Sequence, residues 1–244
     1  MPYIGYWQLI ESVDKFILYG NVAFEKKSWV SRNRIINKKG DIVNIIIPLR
    51  HKSCNKLISE IIIDNSLNWN SKLLKTIRTE YGGALFFEET FSLIEPLLNT
   101  RYETLMQLNC TTISQIAKYL DINTVVDCDN SRFVDMEEVL QCDEVDYSQL
   151  RYLGDAEPDR KTARVIEMCK RENASRYVNA IGGKALYKKE EFLKNGIELF
   201  FIETRAIDYQ QFAKSFTPNL SIIDVLMHNG KEGTKDLLKL YGLI

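Results

Sequence analysis

The spacing of apolar residues changes repeatedly along the chain. Where they recur three and four apart they predict helices, and where they run in short β-branched stretches they predict strands. "GYWQLIESV" (5–13) predicts a short helix and "KFILY" (15–19) a strand. Residues 28–37 and "IVNIIIPL" (42–49) predict a hairpin around the turn "NKKGD" (37–41), and "LISEIIID" (57–64) a further strand. From 68 to 120 the pattern is mostly helical. "NSKLLKTIRTEY" puts Leu73, Leu74, Ile77 and Tyr81 on one face, and "TTISQIAKYLDI" puts Ile113, Ile116, Ala117 and Leu120 there, with Thr111 or Thr112 as its cap.

"NTVVDC" (123–128) predicts a short strand. Residues 127–158 are rich in Asp, Ser and Glu and predict an irregular, partly helical connection able to act as a mobile flap. Beyond it, helix "RKTARVIEMCKREN" (160–173) turns Ala163, Val165 or Ile166, and Cys169 inward. Strand "RYVNAI", a Gly-Gly turn, helix "KEEFLKNG", strand "IELFFIE", and "LSIIDVLMHNG" with a final helix complete the chain. Strands alternating with helices predict a single α/β domain over 1–244. Its sheet is expected to be mixed and largely parallel, flanked by helices.

Composition narrows this picture. The chain has 244 residues, 45% hydrophobic and 27% charged, which is enough to bury a core without metal or disulfides. Lys plus Arg (32) nearly balances Asp plus Glu (33), so no global field for nucleic acid is expected, only a local patch. The five cysteines are odd in number, scattered, and form no CxxC; neither a zinc site nor a disulfide framework is expected, and free thiols of a cytoplasmic protein are the simple reading. The longest apolar run is too short to cross a bilayer, and the front has no basic region of a secretory signal, so no membrane partner is expected.

Three segments carry candidate chemistry. In "WVSRNRI" (29–35), strand alternation sends Arg32 and Arg34 one way and Trp29, Ser31 and Asn33 the other. Two guanidiniums side by side either grip a phosphate or carboxylate, or line a solvated face opposite Asp or Glu. In "RYVNAIGGKALY" (176–187), Gly182 and Gly183 let backbone N–H groups approach an anion, or simply make a turn at positive φ. In "LSIIDVLMHNG" (220–230), Ser221 and Asp224 read as a capping box closed by Asn229-Gly230, with a catalytic Asp224 as the sharper alternative. His51 and His228, the only histidines, have no ligand-spaced partner, so no metal site is expected.

Taken together, these segments resemble the WbqC-like family, whose members lie in bacterial O-antigen and capsule biosynthesis clusters. "PYIGYWQLIESVDKFILY" is similar to the family's opening, "KKSWVSRNRI" to its Lys–Trp–Asn-Arg-Asn-Arg signature, and "YVNAIGGKALY" and "LSIIDVLMHNG" to its two C-terminal signatures. Two departures stand out. Met1-Pro2 fall inside a motif that family members enter from further upstream, and Gly20-Asn21-Val22-Ala23 stand where an Asp-Asp pair, Val and Gln are common.

The resemblance implies Rossmann-like, nucleotide-binding character and work on a sugar nucleotide. The expected reaction moves an acyl or aminoacyl group, from acyl-CoA, an acyl carrier or aminoacyl-tRNA, to the amine of a nucleotide-linked amino sugar. In that reading Arg32 and Arg34 neutralise the diphosphate, Gly182-Gly183 offer backbone donors, and Asn33 and Asn179 hold sugar hydroxyls. Trp29 stacks on a ring, Asp224 takes the amine's proton, and Tyr187 supports the oxyanion. The alternatives are an ATP-dependent amide ligase of nucleotidyltransferase-like type and a non-catalytic sugar-nucleotide-binding protein.

Overall fold

The computed structural model describes residues 1–244 except 52, 152, 154–157 and 214. In chain order it runs α1 (Ile4–Glu11), β1 (Lys15–Ile17), β2 (Arg32–Ile36), β3 (Ile42–Ile46), β4 (Leu49–Arg50), β5 (Ile62–Ile63), α2 (Trp69–Tyr81) and α3 (Phe87–Asn99). Then follow α4 (Leu105–Tyr119), β6 (Val125–Asp127), α5 (Val134–Leu140), α6 (Arg160–Arg171), β7 (Arg176–Ala180), α7 (Lys189–Lys194), β8 (Glu198–Thr204), α8 (Ile222–Leu238) and β9 (Tyr241–Leu243). The chain gathers into two compact units: the first holds 1–128 and 204–240, the second 129–203 and 241–244.

The α/β class is as expected, but the expected sheet is not. The described strands fall into four small sheets: β1–β6, β2–β3, β4–β5 and the three-stranded β7–β8–β9. Parallel pairing is confined to β1 with β6 and β7 with β8. Strands of two to seven residues bury little area each, and helices take over most of the core. No Rossmann-like sheet is present among the described residues.

In the first unit, α8 is the central helix. Ile223 and Met227 pack with α2 and α3 in one apolar cluster, while Ile222, Val225, Leu226 and Leu238 pack with α1 and α4 in a second. Both of its faces are therefore buried, which the two-sided apolar run "LSIIDVLM" encodes. The helix is broken once, at Gly230, whose φ of 63° suits glycine and whose missing Cβ leaves room for the Phe86 ring. Asn229-Gly230 thus ends a first helical segment, as the sequence predicts, and a second follows at once.

Three local expectations are corrected. Trp29–Ser31 form a single 3-10 turn, and the strand starts only at Arg32. Ile58–Glu60 also form a 3-10 turn, held by Glu60 accepting from Leu57 N at 2.7 Å, so the strand there shrinks to Ile62–Ile63. The cap of α4 is Thr104, in a reciprocal box with Gln107, because Leu105 and Leu108 extend the apolar stripe backwards. Thr112 sits mid-helix and donates to Leu108 O at 2.8 Å.

In the second unit, Ala163, Ile166 and Cys169 of α6 are buried as predicted. Residues 134–140, within the connection expected to be irregular and partly helical, form α5 and are clamped to α6. Arg164 makes a two-pronged pair with Glu137 (2.5 and 3.0 Å), and Arg171 bridges Asp135 and the fully buried Glu167. Residues 152 and 154–157 of that stretch lie outside the described residues. The C-terminal "YGL", which carries too few residues for a periodic signal, pairs with β8 through Phe201 and Ile244 at 3.0 Å in both directions.

Cys110 and Cys128 form a disulfide across 18 residues, against the expectation of free thiols. It ties α4 to the end of β6, inside the first unit. The sequence hid it because 110 lies on a helix and 128 after a strand, with no cysteine framework around them. Closing a loop of this size stabilises a fold by about 3 kcal/mol. Reduction is therefore expected to lower the melting temperature by about 6–12 °C. A Cys110→Ala/Cys128→Ala double variant should melt low with or without reductant; equal melting of oxidised and reduced wild type would remove the bond's contribution.

Candidate functional site

Asp224 stands in the first turn of α8. The helix is capped as predicted by Ser221, whose Oγ accepts from Ile223 N (3.4 Å) and donates to Met1 O (2.9 Å). The other half of the predicted capping box is absent: Ser221 N donates to Arg34 O in β2, and the Asp224 side chain turns inward. One of its oxygens accepts from Tyr81 Oη at 2.6 Å; the other accepts from Tyr209 Oη at 2.7 Å and Gln211 Nε2 at 2.9 Å. Tyr81 Oη in turn accepts from Ile36 N at 3.2 Å, and Gln211 exchanges two bonds with the Thr217 backbone.

His228, one turn along, brings Nε2 to 3.8 Å from Asp224, beyond hydrogen-bond reach. That nitrogen is buried and has no hydrogen-bond partner among the described residues. The imidazole packs edge-on against Phe212, ring centroids 4.7 Å apart, with Tyr81 and Tyr209 alongside. Burial lowers the His228 pKa from its ordinary 6.5, with Asp224 pulling the other way. Burial and the neighbouring Asp224 push both tyrosine hydroxyls far above their ordinary value, so they remain protonated donors. Asp224 has no exposed surface and its oxygens are occupied, so the expectation that it takes a proton from substrate has no geometry behind it.

The hairpin presents a different arrangement. The β2–β3 register pairs Arg32 with Ile46 and Arg34 with Asn44, so no carboxylate lies across from either arginine. Among the described residues neither guanidinium has an acidic partner. They nevertheless diverge. Arg32 is consumed by the preceding loop, donating to Ser28 O (3.1 Å) and Lys26 O (3.0 Å). Arg34 lies over the ring of Trp29 at 5.2 Å, reaches Asn219 O at 3.5 Å, and keeps a buried Nε with no partner. Trp29 shares this face with Arg34, contrary to strict alternation, because the 3-10 turn resets the pleat. Asn33 is also spent on the protein: its Nδ2 donates to Met1 O (2.5 Å) and its Oδ1 accepts from Arg34 N (2.8 Å).

The remaining predicted residues belong to the second unit. Gly182 and Gly183 lie in a 3-10 turn, Ile181–Ala185, and neither has positive φ. Gly183 is small for another reason: a Cβ there would fall 2.6 Å from Asn179 Nδ2. Asn179 Oδ1 accepts from Ala180 N at 2.7 Å, while Gly182 is exposed with open space around it. Tyr187 is half-buried, edge-on to Tyr177 and Phe192, and burial raises its pKa so that it keeps its proton. Among the described residues no three His, Cys, Asp or Glu side chains gather to hold a metal. The buried Gly20 leaves little room for a carboxylate: a Cβ there would lie 3.2 Å from Ser59 and 3.3 Å from Met106 Sδ.

Sequence reasoning missed Tyr81, Tyr209 and Gln211 as partners of Asp224. Tyr81 registers only as a core position of α2, and Tyr209 and Gln211 lie in an irregular stretch whose contacts are set by the tertiary fold.

A family model described as "WbqC-like protein family" matches residues 1–236. The chain is also similar to "Uncharacterized protein Rv1507c" of Mycobacterium tuberculosis (strain ATCC 25618 / H37Rv), at 26% identity over 235 residues, which covers 95% of this chain and 91% of that protein. No solved structure matches.

Two outcomes are expected of the buried cluster. Tyr209→Phe removes one of three donors to Asp224 and is expected to destabilise the protein by about 1.5–3 kcal/mol in chemical denaturation. A loss under about 0.5 kcal/mol would show that the bond contributes little. The second outcome concerns pH. His228 has a folded pKa below its unfolded value of 6.5, so the unfolded chain binds the extra proton first. This contribution is complete above the unfolded value and declines as pH falls through 6.5 towards the folded pKa. His228→Leu should flatten that part of the melting-temperature profile between pH 7.5 and 5.5; an unchanged slope would assign it to other groups.

Proposed function

The chain belongs to the WbqC-like protein family, and from that membership and the hairpin geometry we propose that it binds a nucleotide-linked amino sugar and transfers an acyl or aminoacyl group to the sugar's amine, in bacterial surface-polysaccharide (O-antigen) assembly. The observation that carries the proposal is Arg34. A guanidinium with a buried, unsatisfied Nε, no carboxylate opposite and an aromatic ring beneath it is poised for an anion that brings a planar group of its own. A nucleoside diphosphate sugar has both. Leaving a buried donor unpaired costs about 1–3 kcal/mol, which a phosphate oxygen at that position would recover.

The roles follow from this geometry. Arg34 binds the diphosphate and Trp29 supports the guanidinium and an adjoining ring. Arg32 and Asn33 hold the loop and strand that present Arg34. Asp224 keeps the local scaffold in register instead of acting as base. The neutral amine attacks the acyl carbon, the C–N bond forms, the bond to the donor's thiol or hydroxyl breaks, and the amine's proton leaves with that group. In the second unit, taken by itself, burial keeps Tyr187 protonated, and Asn179 with Gly182-Gly183 offers amide and backbone donors. A binding protein without turnover is the second reading, and the sealed Asp224 favours it.

Thermal-shift and calorimetric titration with uridine-, thymidine-, guanosine- and cytidine-linked amino sugars tests the proposal. At least one should raise the melting temperature. Arg34→Ala is expected to weaken that ligand about tenfold or more, near 1.4 kcal/mol, without loss of fold, and Arg34→Lys should restore only part of the affinity because an ammonium lacks the planar fork. Unchanged affinity in Arg34→Ala would overturn the site. Release of free thiol from acyl-CoA with the bound sugar would separate the transferase from the binding protein.

A further inference from the structure

We infer that the outer face of the β2–β3 hairpin, with the loop before it, docks on an anionic lipid surface. Strand register places Arg32, Arg34, Ile36, Ile42, Asn44 and Ile46 on one face, of which Ile36 alone is fully buried. Trp29 joins them through its contact with Arg34, and the loop carbonyls of Lys26 and Ser28 join through Arg32. Three large apolar side chains of this face are open to solvent: Trp29 (60%), Ile42 (48%) and Ile46 (64%). Of the three tryptophans in the chain, Trp7 and Trp69 are buried.

The charge around them is one-sided. Residues 26–50 carry seven Lys and Arg against a single Asp, although the whole chain has a net charge of −1. Among the described residues the side chains of Lys26, Lys27, Arg32, Arg34, Lys38 and Lys39 form no ion pair, although Lys38 N donates to Glu80 at 3.0 Å. This combination discriminates between occupants. Nucleic acid has no use for two exposed isoleucines on the docking face. A second copy of the same face would bring like charges together. Protein interfaces are depleted in lysine, whereas a lipid surface accepts lysines at the headgroups, tryptophan at the interface and aliphatic side chains just beneath it. No helix among the described residues is long and apolar enough to cross a membrane, so the attachment is to the surface.

The inference needs neither the sugar nucleotide nor acyl transfer. It shares Trp29, Arg32 and Arg34 with that site and stands on Ile42, Ile46 and the lysines, which the site does not use.

Co-sedimentation of the full chain with phosphatidylcholine vesicles, with and without about one third phosphatidylglycerol, tests it. Binding is expected only with phosphatidylglycerol, accompanied by a blue shift in tryptophan emission, since Trp29 is the tryptophan open to solvent. Ile46→Asp should reduce binding about tenfold, and Lys26→Glu/Lys27→Glu, which alters no core position, should do the same if Ile46→Asp fails to fold. Leu193→Asp, an equally exposed apolar site elsewhere, should bind as wild type. Failure to sediment with anionic vesicles, equal binding by the lysine variant, or tighter binding to single-stranded RNA than to vesicles would each overturn the inference. A sugar-nucleotide thermal shift that survives in Ile46→Asp would show that the ligand site stands or falls separately.

Discussion

A carboxyl group with no exposed surface must be surrounded by donors or be expelled from the core, and the first unit is arranged around that requirement at Asp224. Two tyrosine hydroxyls and one amide meet its two oxygens. The three donors come from two separate pieces of chain. Tyr81 ends α2, while Tyr209 and Gln211 belong to the irregular segment before α8. Satisfying one buried group therefore fixes the mutual positions of α2, α8 and a segment with no regular hydrogen-bond ladder of its own. Because neutral tyrosines and an amide supply the donors, the cluster needs no buried cation, and His228 stays neutral against its aromatic neighbours.

The same cluster reaches the hairpin. Tyr81 Oη accepts from Ile36 N at the far end of β2, and Ser221 N, just before α8, donates to Arg34 O in its middle. The strand that presents Arg34 is thus held at two points by groups one step removed from Asp224. An aspartate that resembles part of a functional signature in sequence can matter to the proposed binding without touching a ligand, by fixing the strand that carries Arg34. That accounts for its place in a signature better than a base with no path to solvent.

Much of this was legible in the sequence. The hairpin, the long helices from α2 to α4, α6, α7 and the strand flanking the glycine pair follow from periodicity, because in each case the buried face dictates spacing. The sheet architecture was not legible, since strands as short as Leu49–Arg50 or Tyr241–Leu243 carry too few residues to declare a partner. Nor was the disulfide, whose two cysteines meet only once α4 and β6 are packed. The capping signature at Ser221 was read correctly for the serine and incorrectly for Asp224. A helix N-terminus and a buried acceptor use the same residue types, and only tertiary context tells which way the carboxyl turns.

The arginine pair shows how two residues that local spacing treats alike are set apart by the fold. Period-two alternation puts Arg32 and Arg34 on one face, and the register leaves both without a carboxylate. A symmetrical two-armed clamp is what that pattern implies. The 3-10 turn before β2 breaks the symmetry. It brings the carbonyls of Lys26 and Ser28 within reach of Arg32, whose charge is then absorbed by backbone dipoles, and it carries Trp29 round to lie against Arg34. A guanidinium satisfied by carbonyls has little to gain from a phosphate, while one with a buried, empty donor has a bond still to make. The same turn that spends one arginine therefore frees and orients the other, and the anion site we propose is a single arm on an aromatic support.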